Sequence, residues 1–144
     1  GYRKTEIQSR LDLILKADAK QALVKVDFLI QLSDRPAMLV KYGPGSMVTR
    51  RRPSLAASRL LTPYQIPVVV VTNGEDAEIL DGATGKVTHS GLAAIPSQAK
   101  LVDGLNAHVW ALIAPERAEM ESRIAFCYEV DGACPCDDAI CHIQ

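Results

Sequence analysis

The sequence predicts an α/β domain built on a mixed sheet. Residues 68–72 read VVVVT, a uniformly apolar, β-branched run typical of a strand buried on both faces. Two strand patterns joined by a short turn precede this run, and helical patterns stand before, between and after the strands. The chain has 144 residues, 48% of them hydrophobic, which is enough for one domain with its own core. The order of elements is typical of a mixed sheet flanked by helices.

The first third of the chain is predicted as a helix followed by a hairpin. Ile7, Leu11, Ile14 and Leu15 recur at helical spacing and predict a helix over Thr5–Ala17. Ala22–Leu32 is rich in β-branched and apolar residues and predicts a strand, with Lys25 and Asp27 on one face. The turn residues of Ser33–Pro36 lead into a second strand over Ala37–Tyr42, antiparallel to the first.

The remaining elements follow from similar patterns. A helix and then a buried strand imply a crossover, and therefore parallel pairing between the buried strand and the preceding one. Asn73-Gly74 indicates a hairpin turn. The predicted elements are a helix at Arg51–Leu61, the strand at Val68–Thr72, short strands at Ala77–Leu80 and Lys86–His89, and helices at Ser97–Ile113 and Pro115–Tyr128.

The charge and hydropathy of the chain exclude some classes of protein. The net charge is −1, so the overall charge gives no reason to expect nucleic-acid binding, and any basic surface has to be local. Apolar runs such as Val68–Val71 are far shorter than the roughly 20 residues that span a membrane. No signal-peptide pattern is visible, and we expect a cytoplasmic location and no membrane partner.

Two charged residues of the predicted hairpin suggest a metal-dependent nuclease site. Such a site needs carboxylates to hold a hard cation near a phosphate, and a lysine helps to stabilise the developing charge. Asp27 lies in the first strand, Lys41 lies near the end of the second, and Glu6 of the first helix could reach them. The structural alternative is that Asp27 and Lys41 form an ion pair across the hairpin, worth about 0.2–1 kcal/mol.

These residues, together with Leu39-Val40-Lys41 and the stretch PYQIPVVVVTNGEDAEIL, resemble the N-terminal domain of type I restriction enzyme R subunits. The resemblance covers roughly Tyr2 to Leu101, and Tyr64 to Leu80 is its most specific part. It implies a restriction-endonuclease-like fold of the PD-(D/E)xK type, with Glu6, Asp27 and Lys41 as catalytic residues, Mg²⁺ as cofactor and DNA as partner. The second acid of that motif falls at Leu39, which cannot bind a metal, so we expect weak or absent cleavage.

Three consecutive arginines form a candidate nucleic-acid contact. Arg50, Arg51 and Arg52 lie at a predicted helix start, where anions are favoured, and arginines bind phosphate in bidentate fashion. The alternative is a solvated run of charge. Trp110 is expected to belong to the core rather than to stack on bases, and His89 and His108 are expected to be structural.

The four cysteines are confined to the end of the chain. Cys127, Cys134, Cys136 and Cys141 predict a zinc or iron–sulfur site that would order a tail with few apolar residues. Disulfides and free thiols are the alternatives. The predicted division is a restriction-endonuclease-like domain at 2–126 and a cysteine-cluster tail at 127–144. The alternative function is a metal-stabilised interaction or regulatory module without DNA chemistry, with a second copy of the chain or another protein as partner.

Overall fold

The computed structural model describes residues 1–129 and the short strand Cys141–His142. Two single-turn 3-10 helices lie at Lys4–Glu6 and Leu92–Ala94. The other elements are β1 (Ile7–Ala17), β2 (Lys20–Leu32), β3 (Arg35–Tyr42), α1 (Val48–Leu60), β4 (Val68–Thr72), β5 (Ala77–Asp81), β6 (Val87–Ser90), α2 (Gln98–Leu105), α3 (Pro115–Glu129) and β7 (Cys141–His142). The strands run in the sheet order β1-β2-β3-β4-β5-β6, and β7 pairs in parallel with β2.

The helix predicted over Thr5–Ala17 is wrong: this segment forms the edge strand β1. Leu13 and Leu15 are buried while Ile14 between them is 54% exposed, which is the alternation of a strand. The apolar spacing fits both the helical and the strand period. A tight turn at Asp18 brings β1 antiparallel to β2 from Ile7 to Ala17. Pairing with β2 therefore decides the conformation of an ambiguous pattern.

The predicted hairpin is confirmed. β2 and β3 pair antiparallel, and Ser33 and Asp34 both have positive φ values (51° and 63°), as two-residue hairpin turns that follow the strand twist require. The ladder between them extends only from Phe28 to Leu32 on β2. The amino-terminal half of β2 therefore lies beyond the end of β3 and pairs with β1.

The crossover from β3 through α1 to β4 produces the predicted parallel pair, with Leu39 opposite Val69 and Lys41 opposite Val71. β4 is buried on both faces: Val69 and Val71 pack against the α1 side, whereas Val70 packs against the α2 side. The turn after β4 and the short strands β5 and β6 are also confirmed, with β6 exposed at the second edge.

The core consists of two layers, one on each face of the sheet. The larger contains Leu15, Val26, Leu39 and Leu55, with Ala125 of α3 packed over it. The smaller lies under α2 and contains Leu32, Met38, Ile79 and Leu101. Helices α1 and α3 therefore share one face of the sheet and α2 covers the other.

The helix predicted over Ser97–Ile113 is only half right, because α2 ends at Leu105. The following segment is extended and pairs with the residues before β4: Gln65 N–H donates to the Ala111 carbonyl and Ile113 N–H donates to the Pro63 carbonyl. These contacts satisfy backbone groups that a helix would otherwise pair. Trp110 therefore lies on an extended segment, not on a helix.

The helix predicted over Pro115–Tyr128 is confirmed as α3, and the predicted domain boundary at 126/127 falls inside it. That boundary stays a prediction. Among the helices of residues 1–129, none has the length and apolar character to cross a membrane.

Candidate functional site

Lys41 lies near the end of β3 on the face of the sheet that α1 and α3 cover. Its Nζ donates a hydrogen bond to the Lys25 carbonyl oxygen at 3.1 Å and lies 3.2 Å from Glu129 Oε1 at the end of α3. The two charged side chains are only 12% and 20% exposed. Glu129 thus partly neutralises the predicted catalytic lysine. The sequence carries no signal for this contact, because the packing of α3 alone decides which of its acids reaches the hairpin.

Asp27 lies on β2 just beyond the point where the β2–β3 ladder ends. Its Oδ2 accepts a hydrogen bond from the backbone N–H of Tyr42 at 2.8 Å, so the carboxylate closes the gap between the diverging strands. Asp27 and Lys41 are thereby held at the same end of the hairpin. Within residues 1–129 the carboxylate that pairs with Lys41 is Glu129, and not Asp27 as the ion-pair alternative supposed.

Glu6 is placed with α2 rather than with Lys41. It lies in a single 3-10 turn, and not on a long helix as predicted. One carboxylate oxygen accepts from Arg3 N–H at 2.8 Å and the other accepts from Gln98 Nε2 at 3.0 Å. The Arg3 backbone hydrogen bond is the main cause of a lowered Glu6 pKa. Both oxygens therefore have partners on the side of the sheet that α2 covers.

Leu39, where the resemblance predicts the second acid of the motif, is completely buried. Its register neighbours are Leu29 on β2 and Val69 on β4, and all three belong to the larger core layer. The side chain at this position therefore packs the core beneath α1 and α3 and provides no ligand.

The three consecutive arginines are the third, fourth and fifth residues of α1, and each makes an intramolecular contact. Arg50 donates to the Pro44 carbonyl at 2.7 Å and lies so close over Gly43 that a Cβ there would overlap its guanidinium. Arg51 binds the Glu78 carboxylate through Nε and Nη2. Arg52 donates to Glu121 at 2.6 Å. Their side chains are therefore fixed by the fold, although Arg51 and Arg52 remain about one-third exposed, at 36% and 33%.

Sequence reasoning missed the buried carboxylate of Glu121 on α3. Its Oε1 accepts from Arg59 and from Arg117, at 2.7 and 2.8 Å, and its Oε2 accepts from Arg52. Burial by itself would raise the pKa of Glu121, but the hydrogen bonds from the three guanidinium groups outweigh burial and lower the pKa to about 2. Glu121 joins α1 to α3. The alternation of charges along these helices gives no hint of which pairs meet.

Comparison with known proteins identifies the family. The model of the type I restriction enzyme R protein N terminus (HSDR_N) matches residues 1–96 of the 144 residues. The chain belongs to this family. No curated protein and no solved structure matches it significantly.

In this R-protein N-terminal domain, the family match contains Asp27, Leu39 and Lys41, and therefore the whole hairpin. The helix α3, which supplies Glu121 and Glu129, lies beyond the matched residues. The carboxylates of Glu121 and Glu129 thus come from a segment that the family model does not cover.

The aromatic residues of the R-protein domain form a small cluster beside the extended segment. Trp110 packs edge-on against Tyr64 and His108, with ring centroids 5.0 and 4.8 Å apart, and Arg35 lies 5.3 Å from the Trp110 ring centroid. The half-buried Trp110 thus fastens the segment to the residues before β4. His89 is exposed on β6 and contacts Thr88.

The predicted cysteine site lies largely outside the described residues. Cys127 is exposed on α3. Cys134 and Cys136 fall outside the described residues, and of Cys141 only the backbone in β7 is described. Within the described part of the chain, no group of three or more His, Cys, Asp or Glu side chains is arranged to hold a metal. The zinc or iron–sulfur site stays a prediction.

Proposed function

We propose that this chain is a nucleic-acid-associated R-protein domain whose metal-dependent cleavage is weak or absent. The observation that carries the proposal is the complete burial of Leu39, next along the same face of β3 to Lys41. The family assignment supports DNA as the partner. The buried leucine removes one of the two anionic ligands that cleavage would need.

The residues around Lys41 do not fit Mg²⁺ well. Mg²⁺ requires oxygen ligands in near-octahedral geometry, usually with one or two carboxylates and several waters. Asp27 already accepts the Tyr42 N–H, and Glu129 is engaged by the Lys41 ammonium. Glu6 is held by Arg3 and Gln98. If cleavage occurs, Asp27 and Lys41 are the residues that would carry it.

The arginines at the start of α1 remain the candidate contacts to a nucleic-acid backbone. Arg52 is one-third exposed, and within residues 1–129 it uses one of its five N–H donors, on Glu121. Arg50 donates to the Pro44 carbonyl and not to a carboxylate, so its charge is not neutralised by that contact. Both can add a phosphate oxygen as a further acceptor.

The cleavage half of the proposal is tested with supercoiled and linear DNA at increasing Mg²⁺ concentration. We expect no cleavage above the level of the Asp27→Ala protein. Efficient Mg²⁺-dependent cleavage by the unaltered protein, abolished in Asp27→Ala, would show that the domain is an active nuclease and overturn this half.

The binding half is tested by fluorescence anisotropy with duplex DNA over a range of salt concentrations. We expect affinity to fall with salt, and the slope of log K against log [salt] to drop by about 1 for each phosphate contact removed. Arg50→Gln and Arg52→Gln remove the proposed contacts. Arg123→Gln is the control, because Arg123 is an exposed arginine of α3 paired only with Glu119 and Asp18 within the described residues. Salt-independent binding, or equal losses in all three variants, would refute the proposed interface.

A further inference from the structure

Four arginines from two helices line one cavity of about 350 Å³. Its walls are the α1 surface, the turn between β5 and β6, and the first half of α3. The volume lies at the lower end of the range of small-ligand sites, roughly 300–1,000 Å³. The lining residues include the four arginines Arg51, Arg52, Arg59 and Arg117, and Thr84 and Gly85 of the turn.

The cavity carries an excess of positive charge. Within residues 1–129 the four guanidinium groups are paired with two carboxylates: Glu78 binds Arg51, and Glu121 is shared by Arg52, Arg59 and Arg117. Asp81, in the adjacent turn, accepts from the backbone and hydroxyl of Thr84 and adds a third negative charge near the cavity wall. Four positive charges against three negative ones leave an excess of one among these groups.

Donors also remain for a ligand. Within residues 1–129, Arg52 and Arg117 each donate to a single oxygen of Glu121, and their side chains are 33% and 48% exposed. Each guanidinium has five N–H donors in a fixed plane, a geometry suited to phosphate oxygens. The contacts to Glu121 hold both side chains in place, so little conformational entropy is lost when a ligand binds.

We propose that this cavity binds a phosphate monoester group, held chiefly by Arg52 and Arg117. A phosphate monoester carries about −1.5 to −2 charges at pH 7, opposite in sign to the net charge of the cavity wall. A second cavity of about 220 Å³ shares Arg59 and Arg117 with the first and has space for the group to which the phosphate is attached. This inference does not depend on the proposed cleavage or on the hairpin residues.

The test is a titration of the whole chain with inorganic phosphate, followed by calorimetry and by the thermal midpoint, against sodium chloride at equal ionic strength. We expect saturable binding that raises the midpoint. Arg52→Gln and Arg117→Gln are each expected to weaken binding about tenfold or more, because each removes a charge-assisted contact. Arg123→Gln, which changes an arginine of the same helix as Arg117 but outside the cavity, is expected to bind phosphate as the unaltered protein does.

Circular dichroism and the unfolding midpoint without phosphate show whether each variant is folded. If one variant is unfolded, the other and the Arg123→Gln control still decide the question. Two outcomes overturn the proposal: no response to phosphate beyond that to chloride, or equal affinity in the folded cavity variants and the control.

The source of the phosphate is distinguished with oligonucleotides of one sequence, with and without a 5′-phosphate. Tighter binding of the phosphorylated strand, lost in Arg117→Gln, supports a nucleic-acid terminus as the ligand. Phosphate binding without any difference between the strands supports a small phosphorylated ligand. The titration with inorganic phosphate contains no duplex DNA. A negative result there therefore refutes the phosphate site without refuting the proposed contact with duplex DNA.

Discussion

Glu121 shows how a single buried charge can organise two helices. A carboxylate with no exposed surface is costly unless it is paired and hydrogen-bonded, and here three guanidinium groups supply both. Arg59, itself only 5% exposed, also donates to the carbonyls of Gly82 and Ala83. The network therefore ties α1, α3 and the β5–β6 turn together through one oxygen pair.

Protonation of Glu121 should destabilise the fold in acid. Its pKa lies at about 2 in the folded chain against an ordinary value of 4.5. Because the folded pKa is the lower one, the stabilisation is complete above pH 4.5 and is lost as the pH falls from 4.5 through 2. The difference corresponds to roughly 3 kcal/mol.

The measurement compares urea unfolding of the unaltered protein and Glu121→Gln from pH 7 to pH 2.5. Glu121→Gln should lower the free energy of unfolding by about 3–5 kcal/mol at pH 7, because three arginines lose their shared anion. The difference in unfolding free energy between the two proteins should become smaller in acid. Glu119→Gln, an exposed acid of the same helix, is the control and should change little. A difference in unfolding free energy that is constant over the whole pH range would contradict the lowered pKa of Glu121.

Replacing Leu39 by glutamate, which would supply the second acid that the sequence resemblance predicts, should destabilise the domain and not produce a nuclease. The side chain has no exposed surface and is surrounded by apolar residues, so a carboxylate there costs several kcal/mol. Leu39→Met, which keeps the volume, should cost under about 1.5 kcal/mol. Urea unfolding and a plasmid-nicking assay of both variants check this. A stable, Mg²⁺-dependent nuclease from Leu39→Glu would refute it.

Among the elements, β1 depends on a side chain of α3 to complete its edge. The Ser122 hydroxyl donates to the Lys16 carbonyl at 2.6 Å and accepts from the Lys16 N–H at 2.8 Å. One hydroxyl thus satisfies both backbone groups of an edge-strand residue. This is the pairing that a neighbouring strand would otherwise provide.

Ser122→Ala should therefore leave two backbone groups of Lys16 without their partner. We expect a loss of about 1–3 kcal/mol and faster hydrogen exchange at the Lys16 amide. Ser9→Ala, an exposed serine elsewhere on β1, is the matched control. Unchanged protection of the Lys16 amide in Ser122→Ala would show that water replaces the hydroxyl at no cost.

The elements predicted correctly are those whose patterns are unambiguous. The run VVVVT and the turn residues Asn73-Gly74 leave little choice, and β4 and its hairpin follow from them. The two errors occur where the sequence supports two periods. Ile7–Ala17 fits a helix and a strand, and residues 106–113 continue the pattern of α2 but pair with Pro63–Gln65 instead. In both cases a contact distant in sequence decides the conformation.

At the scale of the whole molecule, the site could be predicted only in part. The hairpin brings Asp27 and Lys41 to one end because register follows from the turn, which sequence reveals. Glu129 and Glu121 reach their partners because α3 packs across α1 and β1, and helix rotation is a property of the packed molecule. Glu6 meets Gln98 for the same reason.

The cysteine site is also a property of the whole chain, and it stays a proposal. If Cys127, Cys134, Cys136 and Cys141 bind zinc or an iron–sulfur cluster, protein purified without oxygen should contain stoichiometric metal, and an iron–sulfur cluster should absorb visible light. Elemental analysis with an absorption spectrum measures this, and Cys127→Ser should lower the metal content. Metal-free protein with four reactive thiols would remove the proposal and, with it, the alternative function as a metal-stabilised module.

The crossing of α3 over the sheet has a consequence for how the family boundary is drawn. A fragment cut after residue 96, at the limit of the family match, would lose α3. It would therefore lose Glu121, the carboxylate that Arg52 and Arg59 share, and the helix that covers Leu13 and Leu15. Such a fragment would expose apolar surface, which promotes aggregation, and would leave two arginines without their carboxylate. In this chain the cooperative folding unit is therefore longer than the segment by which its ancestry is recognised.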